Sequence, residues 1–222
     1  MSAFASALAH LPAALQPEVS AYWHDYLAAA ERAGLAPPEN PDSLERIARV
    51  WAMSEFVARS CIREPALLAA LLPGGELAAA DASGVLAARC RPPLAEAPSE
   101  EALAGTLRRL RRREMVRIAW RDLAGEASLE ETLEALSELA DVLVDAALDW
   151  HYQRLCQRFG VPRDAEGRAQ HLVVLGMGKL GGRELNYSSD IDLIFAYPDK
   201  GETDGARGLS NEEFFRRLGQ AL

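Results

Sequence analysis

The stretch His171–Tyr197 reads HLVVLGMGKLGGRELNYSSDIDLIFAY. It opens on an apolar run, Leu172 to Leu175, that contains β-branched residues and is closed by glycine, which predicts a short buried strand. Gly176, Gly178, Gly181 and Gly182 follow within seven positions. Glycine lets a backbone bend this tightly and bring its N–H groups against a phosphate, and Lys179 and Arg183 add positive charge to the turn. A second strand is expected over Ile191–Tyr197, entered through Asp190-Ile191-Asp192. Side chains alternate faces along a strand, so the two carboxylates are expected on one side and Ile191 on the core side. Neighbouring carboxylates repel and raise each other's pKa unless a cation sits between them. A lone aspartate would serve to cap a strand; a pair calls for a hard cation, and Mg²⁺ is commonly held by one or two carboxylates together with substrate phosphates. Glycine turn, cationic side chains and paired aspartates describe one site for moving a phosphoryl or nucleotidyl group.

Two other phosphate-binding patterns fail on context. Gly176, Gly178 and Gly181 spell G-x-G-x-x-G after a strand, as in dinucleotide-binding folds. That motif opens a crossover helix before the next parallel strand, whereas only Arg183 to Ser189 separates the glycines from the Asp190 segment. The acidic residue expected about twenty positions on would fall near Ala196. A Walker A loop is excluded because no Gly-Lys-Ser/Thr closes the turn.

The run GMGKLGGRELNYSSDIDLIF resembles the nucleotidyltransferase signature of the glutamine synthetase adenylyltransferase and adenylyl-removing enzyme family, within the DNA polymerase β-like superfamily. Upstream, ARVWAMSEFVARSCIREPALLAALL and the arginine-rich segment through DWHYQRL resemble that family's N-terminal helical region, so the likeness runs from about Pro41 onward. The resemblance implies a long protein with two nucleotidyltransferase domains, the first associated with removing AMP from glutamine synthetase and the second with adding it, this chain corresponding to the beginning of the first. It implies phosphorolysis of adenylyl-tyrosine to give ADP, and adenylylation from ATP in the full-length enzyme. Asp190 and Asp192 would bind Mg²⁺ and be catalytic. Gly178, Lys179, Gly181 and Gly182 would hold phosphate oxygens, and Ser189 would orient the turn or touch the nucleotide. Glutamine synthetase is the implied protein substrate, with ATP, ADP and inorganic phosphate as small ligands and the PII signal protein as a regulator of the full-length enzyme, in the regulation of nitrogen assimilation. In the superfamily a third acidic residue on a later strand completes the site. No position before Leu222 matches it, and Glu202, Asp204, Glu212 and Glu213 read as loop and helix-start acids. The chain is therefore expected to be a piece of a longer enzyme. The alternative is a catalytically incomplete helical interaction or sensing module with a degenerate nucleotide fold.

Composition agrees with this reading. The 222 residues are 49% hydrophobic and 26% charged, the balance of a globular chain. A net charge of −9 argues against a general nucleic-acid binder. Cys61, Cys90 and Cys156 are an odd, scattered set that suggests free thiols in a reducing cytoplasm. No apolar run reaches membrane-spanning length, and the amino terminus lacks the basic segment of a signal peptide.

The expected fold class is α+β, predominantly α-helical, with a helical region over 1–165 and the first part of a nucleotidyltransferase domain over 166–222. Helices are expected over Pro17–Ala33, from a capping box at Asp42 and Glu45 through Val57, from Pro65 to the Pro73-Gly74-Gly75 turn, from Ser99, from Ser128 to Phe159, and from Ser210. Pro92 and Pro93 are expected to break any long element. The arginines from Arg108 to Arg121 admit two readings: a solvated face or partners for acidic side chains, or contacts to active-site phosphates or an acidic protein substrate. The acidic face of the Ser128 helix, which includes Glu134 and Asp141, reads as plain solvent surface.

Overall fold

A computed structural model describes residues 3–73, 75–82 and 84–222. Gly74, in the predicted turn, lies outside the described residues. In chain order the elements are α1 (Ala3–Leu8), α2 (Gln16–Arg32), α3 (Pro41–Met53), α4 (Glu55–Arg63), α5 (Pro65–Leu71), α6 (Val85–Ala95), α7 (Glu100–Leu123), α8 (Leu129–Phe159), β1 (Pro162–Arg163), β2 (Val173–Gly176), α9 (Gly178–Gly181), β3 (Leu193–Ala196), β4 (Glu202–Thr203) and α10 (Asn211–Ala221). The fold is α+β and predominantly helical, as expected. No helix among the described residues is long and apolar enough to cross a membrane.

The chain forms two compact units, one of Met1–Ala82 with Arg111–Thr132, the other of Ser83–Leu110 with Leu133–Leu222. The expected boundary at 165 and 166 falls inside the second unit, because α8 from Leu133 onward and the strands after it share one body.

The first unit is a helical cluster around aromatic side chains. Phe4 stacks on Trp23 at 4.2 Å between centroids, and Tyr26 meets Trp51 edge-on at 5.7 Å. The apolar stripe Leu44, Ile47, Ala48, Trp51, Phe56 and Val57, whose helical spacing in the sequence predicts a buried face, is mostly core: Ile47, Ala48, Trp51 and Val57 are fully buried, whereas Phe56 faces solvent. The helix expected to run through that stripe is broken. Ser54 is extended and accepts from Val57 N at 3.3 Å, which ends α3 and caps α4. The predicted capping box also shifts. Asn40, not Asp42, is the N-cap, accepting from Ser43 N at 3.1 Å, because Pro41 takes the first helical position, where its missing N–H costs nothing. Pro92 and Pro93 lie within α6 rather than ending it.

The arginines of α7 that belong to this unit divide by partner. Arg117 is buried between Glu114 and Asp81, each at 2.8 Å. Arg121 donates to Leu77 O and Glu126 O, both at 3.0 Å, and to Glu131 at 2.7 Å. Arg113 pairs with Glu76 at 2.7 Å. These side chains are internal fasteners, as the acidic-partner reading expected. Arg111 is exposed.

In the second unit α8 is the backbone of the arrangement. The helix is capped at Ser128, a residue of the first unit, which accepts from Glu131 N at 3.2 Å, and Gly160 ends it at φ +89°. Trp150 Nε1 donates to Ala97 O at 2.9 Å, tying α8 to the end of α6. β2 and β3 pair antiparallel, Val173 opposite Ala196 and Gly176 opposite Leu193. One face of this ribbon is covered. Leu172, Phe159, Phe214, Phe215 and Leu218 form a buried cluster that Val174 and Tyr197 join, and Tyr197 stacks on Phe215 at 4.9 Å. Burying side chains of this size contributes about 1.5–3 kcal/mol each, which accounts for the seating of α10. Residues Val173, Leu175 and Ile194 alternate onto the other face and are 45%, 49% and 48% exposed. The predicted buried strand is therefore half-open, and Ile191, expected in the core, is also exposed. The reason is that a strand pair buries both faces only when each has a packed layer, and here the described residues supply one.

Candidate active site

The turn between β2 and the Asp190 segment holds the candidate residues. Gly178 adopts φ +53°, a conformation that favours glycine. Gly181 is needed for another reason: a Cβ there would lie 2.4 Å from Gly176 O. The turn folds back over the end of β2, with Gly181 N donating to Met177 O at 3.3 Å and Gly182 N to Gly178 O at 3.0 Å. Gly181 and Gly182 thus spend their amides on the turn itself, whereas those of Gly178, Lys179 and Leu180 make no hydrogen bond to another described residue. Leu180 is buried and anchors the turn from below.

Met177 N donates to Asp192 O at 2.9 Å, extending the ladder by one step and fixing Asp192 beside the start of the turn. Asp192 alternates with Leu193, so it shares the open face with Ile194. Both Asp190 and Asp192 are exposed, and neither carboxylate has a hydrogen bond or ion pair to another described residue. Lys179 Nζ approaches Ser189 Oγ at 3.3 Å, and Ser189 Oγ donates to Asn186 Oδ1 at 2.6 Å. The structure brings Gly178, Lys179, Ser189 and Asp192 into one locality, with Gly181 and Gly182 forming its frame.

The exposed carboxylates of Asp190 and Asp192, without a partner among the described residues, suit a hard divalent cation that keeps waters and phosphate oxygens as its other ligands. The described residues contain no group of three or more His, Cys, Asp or Glu side chains placed to hold a metal, so the fit is to a two-carboxylate site. Asp204 is occupied elsewhere: it accepts from Val161 N at 2.7 Å and pairs with Arg163 at 2.6 Å. Those partners, Arg163 first, hold its carboxyl below the ordinary range. Glu213 is held down to about 2 by Arg216 and Arg217. Both acids are structural, in keeping with their reading as loop and helix-start residues.

A cavity of about 340 Å³ lies on the covered face of the ribbon, with Val174, Gly176, Leu180, Leu193, Leu148 and Val142 among its lining. By strand alternation its strand residues Val174 and Leu193 face the opposite side from Asp192.

Some features of the site were not visible in the sequence reading. Arg183 is the one non-glycine with positive φ among the described residues, at 59°, a conformation that costs an L-residue about 1–2 kcal/mol. Its guanidinium is not free for a phosphate. It pairs with Glu134 and Asp141 of α8, with Nε to Glu134 Oε2 at 2.9 Å, and holds the Glu134 carboxyl below its ordinary value. Ser137 Oγ accepts from Leu185 N at 3.3 Å. The acidic face of α8 is thus a docking rail for the loop, not plain solvent surface. Its signal was the spacing of Glu134, Ser137 and Asp141, which places them on one helix face. Asn186 could have been found from the Asn-Tyr-Ser-Ser run, whose side chains favour local turns.

Residues 44–222 match the family model for glutamate-ammonia ligase adenylyltransferase. The chain is 53% identical over 212 residues to a bifunctional glutamine synthetase adenylyltransferase/adenylyl-removing enzyme of Thioalkalivibrio sulfidiphilus, covering 96% of this chain and 22% of the relative. Proteins with the same description from Pseudomonas putida and Pseudomonas aeruginosa are 48% and 46% identical, over 96% and 97% of the chain and 22% and 23% of those relatives. The chain spans about a fifth of the length of these curated relatives. The glycine turn and the aspartate pair lie within the matched region, and the chain belongs to the glutamate-ammonia ligase adenylyltransferase family.

Proposed function

We propose that this chain carries part of the site that removes AMP from glutamine synthetase, by phosphorolysis of adenylyl-tyrosine to ADP. The observation that supports it most is the pair Asp190 and Asp192, exposed and without a hydrogen-bond or ion-pair partner among the described residues, beside a tightly folded glycine turn. Similarity to relatives described as both adenylyltransferase and adenylyl-removing enzymes names glutamine synthetase as the protein substrate. The removing direction rests on the correspondence of this segment with the first of the family's two nucleotidyltransferase domains. ATP, ADP and inorganic phosphate are the small ligands this chemistry needs, and PII is the proposed regulator of the whole enzyme.

In this reading Asp190 and Asp192 hold Mg²⁺, which when bound neutralises charge on the phosphate oxygens. Lys179 adds a positive charge close to Ser189 at the mouth of the turn. Ser189, fixed by Asn186, accepts from Lys179 Nζ and directs it across the turn. Gly181, which packs against Gly176 O, lets the turn lie low over the strand end so that substrate approaches the carboxylates from the open face. The apolar residues of that face, Leu175 and Ile194, flank the carboxylate side.

The test uses the full-length enzyme. Asp190→Asn or Asp192→Asn removes a hard ligand at nearly constant volume and is expected to abolish Mg²⁺-dependent turnover and weaken Mn²⁺ binding at this site, with an unchanged circular dichroism spectrum. Wild-type turnover and Mn²⁺ affinity in both variants would refute the assignment. The interaction-module reading predicts that outcome, with only a small change in stability.

A further inference from the structure

Residues 183–185 are fastened to one face of α8 at three side chains, two of them exposed carboxylates. Arg183 reaches Glu134 through Nε at 2.9 Å and through Nη2, and Asp141 through Nη1. Two residues on, Leu185 N donates to Ser137 Oγ at 3.3 Å, and the Leu185 side chain is buried. On the other side the segment is tied into the glycine turn, Arg183 N donating to Leu180 O at 3.1 Å and Glu184 N to Lys179 O at 2.7 Å. The chain of bonds therefore runs from α8 through Arg183 to Lys179 and the glycines.

Arg183 is also where the backbone takes its single non-glycine positive φ among the described residues, 59°. Such a conformation persists when its surroundings over-determine it. Exposed ion pairs are individually weak, and the side chains of Arg183, Glu134 and Asp141 are 41%, 56% and 51% exposed. A planar fork shared by two carboxylates nevertheless fixes direction as well as distance. This cluster is suited to setting the geometry of a loop, not to holding the unit together.

We propose that Arg183 is a positioning residue for the nucleotidyl-transfer site. Its pairs with Glu134 and Asp141, together with Ser137 and Leu185, hold the 178–182 turn against α8, so that the turn is preorganised over Asp190 and Asp192 before substrate arrives. This rests on the reading of the site given above. It assigns a role in the reaction to three side chains of a helix remote in sequence, and it excludes Arg183 as a direct phosphate ligand, because its fork is already shared by two carboxylates.

The experiment compares four forms of the full-length enzyme: wild type, Arg183→Asn, the pair Glu134→Ala with Asp141→Ala, and all three changes together. Asn tolerates positive φ, so the first variant removes the fork and not the backbone conformation. Three quantities are read: kcat and KM for phosphate-dependent ADP release from adenylylated glutamine synthetase, hydrogen exchange of amides 178–185, and Tm. Asp190→Asn is the control for the site itself. The expected result is a fall in kcat of roughly tenfold in both Arg183→Asn and the α8 pair, with KM for the protein substrate unchanged. The combined variant falls no further than either, since members of one network are not additive. Amides 178–185 exchange about tenfold faster in all three, as local opening predicts, and Tm is preserved.

An α8 pair that keeps wild-type kcat while Arg183→Asn is impaired would overturn the proposal, and would make Arg183 a substrate contact. Wild-type kcat in every clamp variant with a dead Asp190→Asn would overturn the clamp and leave the reading of the site standing. If Asp190→Asn is itself active, that reading falls, and the exchange data alone judge the clamp: unchanged protection at 178–185 refutes it and faster exchange supports it.

Discussion

Substituting each glycine of the turn by alanine in turn separates three physical roles that the sequence presents as one. At Gly181 the new Cβ would sit 2.4 Å from Gly176 O, well inside any tolerable contact, and the neighbour is backbone, not the end of a flexible side chain. Relief requires the turn to lift from β2, which strains Gly181 N to Met177 O and the adjoining bond of Met177 N to Asp192 O. Overpacking of this kind costs about 1–3 kcal/mol. At Gly178 there is no atom within 4 Å of the new Cβ, and the penalty is the φ of +53° alone, about 1 kcal/mol. At Gly182 the nearest atom is 3.5 Å away and φ is negative, so alanine is expected to be neutral or to stabilise by about 0.4–1 kcal/mol through the unfolded chain. Native-state hydrogen exchange of the β2 and β3 amides reads these differences locally, and urea denaturation reads them globally. The expected order of destabilisation is Gly181→Ala, then Gly178→Ala, with Gly182→Ala last. A Gly181→Ala variant as stable as wild type, or a Gly182→Ala variant as damaged as Gly181→Ala, would refute the packing argument.

Arg121→Ala should cost about 3–5 kcal/mol, because it strips Leu77 O, Glu126 O and Glu131 of their shared donor; thermal unfolding checks it, and a loss under 1 kcal/mol would show that water replaces the guanidinium. Phe214→Ala, at a fully buried site, should cost about 3–5 kcal/mol, whereas Leu175→Thr on the open ribbon face should stay within about 1 kcal/mol; similar losses in the two would mean that both faces are covered in solution. Glu213 has a folded pKa of about 2 against an ordinary 4.5. Its contribution to stability is therefore complete above pH 4.5 and is lost as pH falls towards 2. Glu213→Gln should flatten the acid limb of the stability profile in that window, and an unchanged profile would show that the Arg216 and Arg217 pairs are not formed in solution.

What the sequence revealed follows from the range of the interactions involved. Ser99, Ser128 and Ser210 cap their helices because a cap is decided within four residues. The glycine turn was legible for the same reason. Asn40 was missed because Asp42 offered a competing cap signal, and the fixed φ of Pro41 decided between them. The break at Ser54 was hidden because the apolar spacing continues across it. The role of Arg183 was illegible because its partners lie more than forty residues away, and hydrophobic periodicity says nothing about which charged side chains meet. The open ribbon face misled for a related reason: an apolar run states that burial is favourable, not which segment supplies the cover.

On the proposed function, Asp190 and Asp192 belong to the site that removes AMP. In that reading the full-length enzyme carries out two reactions that can be followed on one preparation, phosphate-dependent ADP release from adenylylated glutamine synthetase and ATP-dependent AMP transfer to the unmodified protein. Asp190→Asn combined with Asp192→Asn is predicted to abolish ADP release and to leave AMP transfer near the wild-type rate. ADP release at the wild-type rate, or loss of AMP transfer with ADP release preserved, would contradict the account.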